Sequence, residues 1–333
     1  MWRLSGGRKL RNPLSVCIFI ALVAPAGAIA QELRLQTQFP STPDLREYFD
    51  TLTRRLKATA VTTAPISVLL EYVAQGRLDG GWALPSIWAR NELAFGMAET
   101  VPLVLDTSSI ERWRNSPSVK GTLDRIYSQR GAKGLVCGAL PRSGGLWTRK
   151  PVSAETMLTG LKLRVVEPVL SALLSGVGVV GSSIPAGETL PAMQVGMVDG
   201  AIGLTPQEDL RLGYSQEAKY YYLNSLLPIR DIHLVLSLRK WEMLGDAGRE
   251  TIAKECAELT ERMLRELPSS NAVALERMRA SGVTVSDLPA ELEDELRKSS
   301  RTIYERMRSR SVGFSALYEA ALDLAPEFRN LSP

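Results

Sequence analysis

A permanently charged residue stands inside what reads as a half-covered strand. In Gly160-Leu-Lys-Leu-Arg164-Val-Val166, Leu161, Leu163 and Val165 alternate with Lys162, Arg164 and Val166, the period of a strand with one covered face. A guanidinium presents parallel N–H donors that match a carboxylate in a two-bond fork, and it stays protonated at any physiological pH. On position alone, Arg164 has two readings: an ion pair with an acid of the chain, or an anchor for an organic anion. The chemistry of bond-breaking is harder to find. His233 is the only histidine and lies in a hydrophobic strand, a setting that suits packing or a hinge rather than catalysis. No Cys–His pair, zinc spacing, Gly-Lys-Ser/Thr phosphate loop or Gly-x-Ser-x-Gly elbow occurs. Gly176-Val-Gly178-Val-Val-Gly181 matches a dinucleotide fingerprint in letters only. It follows a helix pattern and enters an extended one, whereas pyrophosphate binding needs the reverse order. The adjacent acids Glu208-Asp209 read as solvated loop residues. An enzyme is not supported, and no cofactor is expected.

The elements around Arg164 form a strand–helix–strand–helix–strand unit over residues 160–203. Val169, Leu170, Leu173 and Leu174 share a helical face that ends at Gly176. A second short helix near 189–195 stops at Gly196, and residues 198–202 read as another strand. Crossovers of this kind set parallel strands side by side, with ligands at their carboxyl ends. Upstream, residues 33–37 alternate as a strand with Leu33, Leu35 and Thr37 inward. Helical spacing covers 44–56, 66–73 and 110–126, residues 79–83 are extended, and 134–140 read as a buried strand. Downstream come a strand at 232–236, a long helix after Asp246 that Pro268 interrupts, and a charged helical tail over 289–322. This alternation predicts an α/β fold.

The chain has 333 residues, enough for two cores, with 45% apolar and 23% charged residues. Its net charge of +4 is carried by Arg3, Arg8, Lys9 and Arg11; beyond residue 30 acids and bases balance, which argues against nucleic acid as a partner. Those basic residues, the apolar run 14–24 and Ala28-Ile-Ala30 read as an export signal cleaved after Ala30. An uncleaved anchor is the alternative, but the apolar stretch falls short of the roughly 20 residues that span a bilayer. Cys137 and Cys256 would remain after cleavage; an oxidising compartment permits a disulfide, but nothing in the sequence brings them together, so two separate buried thiols are expected.

Several motifs, in order, resemble the extracytoplasmic solute-binding receptors of TRAP transporters, the DctP-like family. They are Val73-Ala-Gln-Gly-Arg-Leu-Asp79, Gly160-Leu-Lys-Leu-Arg164, Pro191-Ala-Met-Gln-Val-Gly-Met-Val-Asp-Gly200, and Leu212-Gly-Tyr followed by Ala218-Lys-Tyr-Tyr-Tyr222. The last resembles the subgroup that binds α-keto and hydroxy acids. The resemblance covers about residues 32–318 and implies a two-lobed periplasmic-binding-protein fold with an interlobe cleft and repeated chain crossings. It implies residues 1–30 as leader, 31–147 as the first part of lobe I, and 148–230 as the first part of lobe II. Residues 231–267 would return to lobe I with the long helix, and 268–333 would complete lobe II with the C-terminal helices.

The resemblance also assigns roles. Arg164 would bind the substrate carboxylate, and Arg149 is either a second ligand-binding arginine or a surface residue. Trp147 is either an apolar wall or packing at the lobe junction, and Trp88, like Trp82, would face the cleft. In the keto-acid subgroup a glutamate and a tryptophan help hold a metal ion, and another branch places an asparagine nearby. Here those positions are Ile202 and Gly203, and the subgroup's upstream glutamine falls near Arg142 or Ser143. A metal-free pocket is therefore expected, with Arg142 replacing the ion's charge and Gly203 widening the wall for a ligand bulkier than pyruvate. The implied function is periplasmic capture of a small organic acid for the membrane subunits of a TRAP permease. A sensing or adaptor protein of the same fold is the alternative.

Overall fold

In the computed structural model the described residues are 32–141, 144–153, 158–223 and 226–331. The expected leader and Arg142 lie outside them. Among these described residues eleven strands appear in chain order. They are β1 (Arg34–Thr37), β2 (Thr59–Ala60), β3 (Gly80–Ala83), β4 (Ala132–Pro141), β5 (Leu146–Thr148), β6 (Lys162–Arg164), β7 (Val180–Ser182), β8 (Gly200–Ile202), β9 (Tyr220–Leu223), β10 (Ile229–Ser237) and β11 (Thr284–Asp287). They make two sheets, one ordered β2-β1-β3-β10-β4 and the other β11-β9-β5-β8-β6-β7. In the first sheet β1 runs parallel to β2 and β3, and β10 lies antiparallel between β3 and β4. In the second, β6 is parallel to β7 and β8, while β5 runs antiparallel to β8 and β9.

Helices cover both sheets because each carries an apolar stripe. Pro43–Arg55 begins with proline and Asp44, ends with Arg54 and Arg55, and buries Leu45, Phe49 and Leu52 against the first sheet. The expected helical stretch 110–126 is two helices, Thr107–Asn115 and Pro117–Ser128. Ser116 precedes a proline, so its backbone is extended; its hydroxyl then accepts from Val119 N and starts the second helix. The expected interruption at Pro268 does not occur. Gly245–Ala280 is one helix of 36 residues, roughly 54 Å long at 1.5 Å per residue. Met263, Leu267, Asn271 and Ala274 are buried on either side of the proline, and that packing keeps the helix on course.

The chain passes between the sheets from β4 to β5, from β9 to β10, and again along Gly245–Ala280, which packs on β4 and then on β11. The expected breaks shift accordingly. Trp147 and Thr148 sit together in β5, β10 starts at Ile229, and position 267/268 is inside the long helix. Ala290–Arg308 packs on Pro168–Ser175 beside the second sheet, whereas Val312–Leu322 returns to the first, where Trp113 Nε1 donates to Leu317 O at 3.0 Å. No helix among the described residues is long and apolar enough to cross a membrane.

The two cysteines are not separate thiols. Cys137 on β4 and Cys256 on the long helix form a disulfide across 119 residues. The helix lies on the face of β4, and Gly138 (φ 153°) opens a bulge there opposite Ile232, where a side chain would strike Met263. No periodicity in the sequence links residues so far apart. A crosslink closing a loop of this length restricts the unfolded chain by about 4–5 kcal/mol on an entropy account. Replacing both cysteines with alanine is expected to remove about 3–5 kcal/mol of stability in urea unfolding; a change below 1 kcal/mol would show that the long helix is fixed by packing alone.

Candidate functional site

One row of side chains crosses the second sheet on a single face. Register pairs Ser182 with Arg164, Arg164 with Ala201, Ala201 with Trp147, and Trp147 with Tyr221. Register partners project to the same side, so Arg164 and Trp147 flank Ala201. Arg164 closes β6 and is 9% exposed. Its Nε donates to Ile184 O at 3.0 Å and its Nη1 to Ile202 O at 3.1 Å. Among the described residues it has no ion pair, and its Nη2 has no hydrogen bond. Main-chain carbonyls thus orient the fork without neutralising it.

Trp147 is fully buried, 4.7 Å from Tyr221 and 6.2 Å from Tyr214 between ring centres. Its Nε1 donates to Asp209 Oδ2 at 3.1 Å. Asp209 and Glu208 are not solvated loop residues. They belong to the helix Pro206–Arg211, which Thr205 caps by accepting from Glu208 N, and both are buried. Leu204 N donates to Asp209 Oδ1 at 2.8 Å, closing a tight turn at the end of β8. Burial raises the Asp209 carboxyl to about 7, against the two hydrogen bonds and the nearby positive charge of Arg164. Glu208 pairs with Arg211 and accepts from Thr42 Oγ1 at 3.3 Å, a contact that joins the second sheet's helix to the first sheet's.

Gly203 sits against this acid. A Cβ there would lie 1.8 Å from Asp209 Oδ2, so the space freed by glycine is filled from inside the chain rather than left as extra room. The wider wall expected at Gly203 is corrected by that contact. Arg149 leaves β5 at the end far from Ile202, where its N donates to Asp199 O, and its Nη2 pairs with Glu217 Oε2 at 2.6 Å in a half-exposed bridge. Trp82 and Trp88 are both buried. Trp82 lies in β3 and donates to Cys137 O at 2.7 Å. Trp88 is buried against Phe95, with its indole N–H lacking a partner among the described residues.

A second cluster was not expected. Arg230, at the start of β10, is buried between two carboxylates: Nε to Glu99 Oε1 at 2.9 Å and Nη2 to Glu167 Oε1 at 2.7 Å. Glu99 also accepts from Ser86 N just past β3, and Glu167 follows β6, so the cluster bridges the carboxyl ends of strands from both sheets. Burial pushes Glu99 upward despite Arg230, since one guanidinium faces two acids. The signal in the sequence was Arg230-Asp231 inside an otherwise apolar strand. Asp231 pairs with Arg114 at 2.5 Å, and His233 beside it is buried, bonded to Tyr127 and held down to about 3 by burial, so it stays neutral. No group of three His, Cys, Asp or Glu among the described residues can hold a metal ion.

Two sheets joined by repeated crossings, with an unpaired arginine at a strand's carboxyl end, define a solute-binding protein of the two-lobed class. The family model for bacterial extracellular solute-binding proteins, family 7 (DctP), matches residues 67–311, and the chain belongs to that family. A curated relative is the monocarboxylate 2-oxoacid-binding periplasmic protein of Nostoc sp., 25% identical over 253 residues, 75% of this chain and 69% of that protein. A TRAP transporter solute-binding protein from Bordetella bronchiseptica RB50, with copurified calcium and picolinate in its active site, superimposes with a TM-score of 0.81. It is 24% identical over 89% of this chain and 92% of its own. One from Pseudoalteromonas atlantica T6c, with bound sodium and pyruvate, gives 0.80 at 17% identity over 90% and 94%. A Bordetella pertussis receptor binding pyroglutamic acid gives 0.72 at 18% identity over 87% and 99%.

The Gly203–Asp209 contact makes a direct prediction. Gly203→Ala is expected to cost about 2–4 kcal/mol in chemical denaturation, since two buried groups would compete for one space. Adding Asp209→Ala should recover part of that loss, and strict additivity of the two changes would show that they do not share the space.

Proposed function

We propose that this chain captures a small organic carboxylate on Arg164 and delivers it unchanged to TRAP permease membrane subunits from the periplasm. The observation that carries the reading is the state of Arg164. Its guanidinium is nearly buried, fixed by two carbonyls and free of any acid partner among the described residues. A charge so desolvated favours an incoming anion, and the fork favours a carboxylate. The 2-oxoacid-binding relative supports the same class of ligand. The buried disulfide supports export, because such bonds persist in oxidising compartments. Arg149, paired to Glu217, is a weaker candidate for ligand contact, and Trp147 forms the packed floor beneath the anchor.

The pocket takes its ligand without a metal in this proposal. Calcium and sodium need several oxygen donors. Ile202 and Gly203 supply no side-chain oxygen, and both Asp209 oxygens already accept from N–H groups. The described residues therefore do not fit an ion, and no step of capture is assigned to one.

A thermal-shift screen of 2-oxo acids, pyroglutamate and picolinate is expected to give a ligand that raises the melting temperature of the wild type. Arg164→Ala should abolish that shift; a variant that keeps full affinity would remove Arg164 as the anchor. Elemental analysis of the ligand-bound protein after dialysis against calcium and sodium is expected to find neither ion at stoichiometric level. Finding one would overturn the metal-free reading and leave the anchor untouched.

A further inference from the structure

We infer that Asp209 is a positioning residue of the binding site and that capture of a carboxylate by Arg164 is accompanied by uptake of one solvent proton on Asp209. The inference rests on the proposed role of Arg164. Its basis is a juxtaposition of two buried groups of opposite sign, neither of which has an ion pair among the described residues. Arg164 hydrogen-bonds only carbonyls, and Asp209 accepts only from Leu204 N and Trp147 Nε1. Ile202 O holds the guanidinium, and the next residue, Gly203, rests against the Asp209 carboxylate, so three consecutive positions at the end of β8 couple the two.

The hydrogen bonds from Leu204 N and Trp147 Nε1 and, after them, the positive field of Arg164 favour the ionised form of an otherwise desolvated acid; of the three, only the field of Arg164 changes when a carboxylate binds there. The remaining surroundings offer no substitute. On its own helix Glu208 opposes ionisation and is itself paired with Arg211. Tyr214 and Tyr221, which face Asp209 from the neighbouring turn and from β9, are both pushed upward by burial and stay neutral. Trp147 from β5 brings only an N–H. The long helix Gly245–Ala280 packs on the Asp209 helix and buries only uncharged residues. A carboxylate seated on Arg164 cancels the one cation that favours ionised Asp209 while the two hydrogen bonds stay, so the balance shifts toward the protonated acid and a proton is taken up.

The sign follows from linkage. Free Asp209 titrates near 7, and the bound ligand moves that midpoint upward. Affinity is then steady below the free midpoint, falls between the free and bound midpoints by about tenfold for each unit that separates them, and is steady again above the bound midpoint. The test begins without ligand, by following the carboxyl resonance of Asp209 in protein labelled with 13C-aspartate, assigned by its absence in Asp209→Asn. The expected midpoint lies near 7 in the wild type, is retained in Arg164→Lys and moves up by about one unit or more in Arg164→Gln. Saturating pyruvate, where it binds, should act as Arg164→Gln does, and calorimetry in buffers of different ionisation enthalpy should show proton uptake above pH 7 that Asp209→Asn abolishes. A midpoint below 5, or one unmoved by Arg164→Gln, overturns the coupling even if Arg164 proves to be the anchor. Retention of ligand by Arg164→Ala overturns the anchor instead, whatever Asp209 does.

Discussion

A desolvated guanidinium held by carbonyl oxygens is the constraint on which the rest of this structure turns. Burying a charge without a counter-ion is costly, and only fixed dipoles or a neighbouring field can offset it. Arg164 obtains both, from Ile184 O and Ile202 O and from Asp209 nearby. Those carbonyls must not move, which places demands on the chain well beyond the site. Ile184 is followed by Pro185 and the helix Ala186–Gln194, and Ile202 is pinned opposite Leu146 in the sheet. Beneath them Trp147, Tyr221, Ala201, Met193 and Tyr214 form a separate apolar cluster. That cluster is a rigid mount for one charge.

The two sheets are tied by polar contacts at the same ends that bear the site. Thr42 reaches Glu208 from the first sheet's helix, and Arg230 joins Glu99 to Glu167. Leu204, directly after the Gly203 turn, packs on the core of the first sheet. The segment that shapes the anchor's surroundings is therefore also a segment on which the two sheets meet.

The elements were largely legible because their signals are local. Alternation gave β6 and its neighbours, glycines marked helix ends at Gly176 and Gly196, and Arg164 stood out as a charge in an apolar strand. The failures share a cause of another kind. Cys137 and Cys256 meet only because a long helix crosses β4, and no spacing encodes a contact across 119 residues. Gln36, alternating outward in sequence, is buried because its side chain bonds the backbone of Thr63 and Ala64. Asp209 looked solvated beside Glu208 and Arg211, but Leu204 N and the Trp147 indole draw it inward. Polar residues whose partners come from elsewhere in the fold carry no periodic signature.

Comparison of Arg164, Arg230 and Arg149 favours the first for the proposed carboxylate. Arg230 is more deeply buried than Arg164 but lies between two acids, so an added anion there would face a surplus of negative charge. Arg149 is bridged to Glu217 in a half-exposed pair, where water screens the charge and a ligand would first have to displace a carboxylate. Arg164 combines desolvation with the lack of an ion pair among the described residues. The glycine at 203 belongs to that arrangement: a side chain there would expel Asp209 from its place and with it the turn that sets Leu204. The space beside Gly203 is filled by an acid from the following helix, which brings a titratable group into the neighbourhood of Arg164.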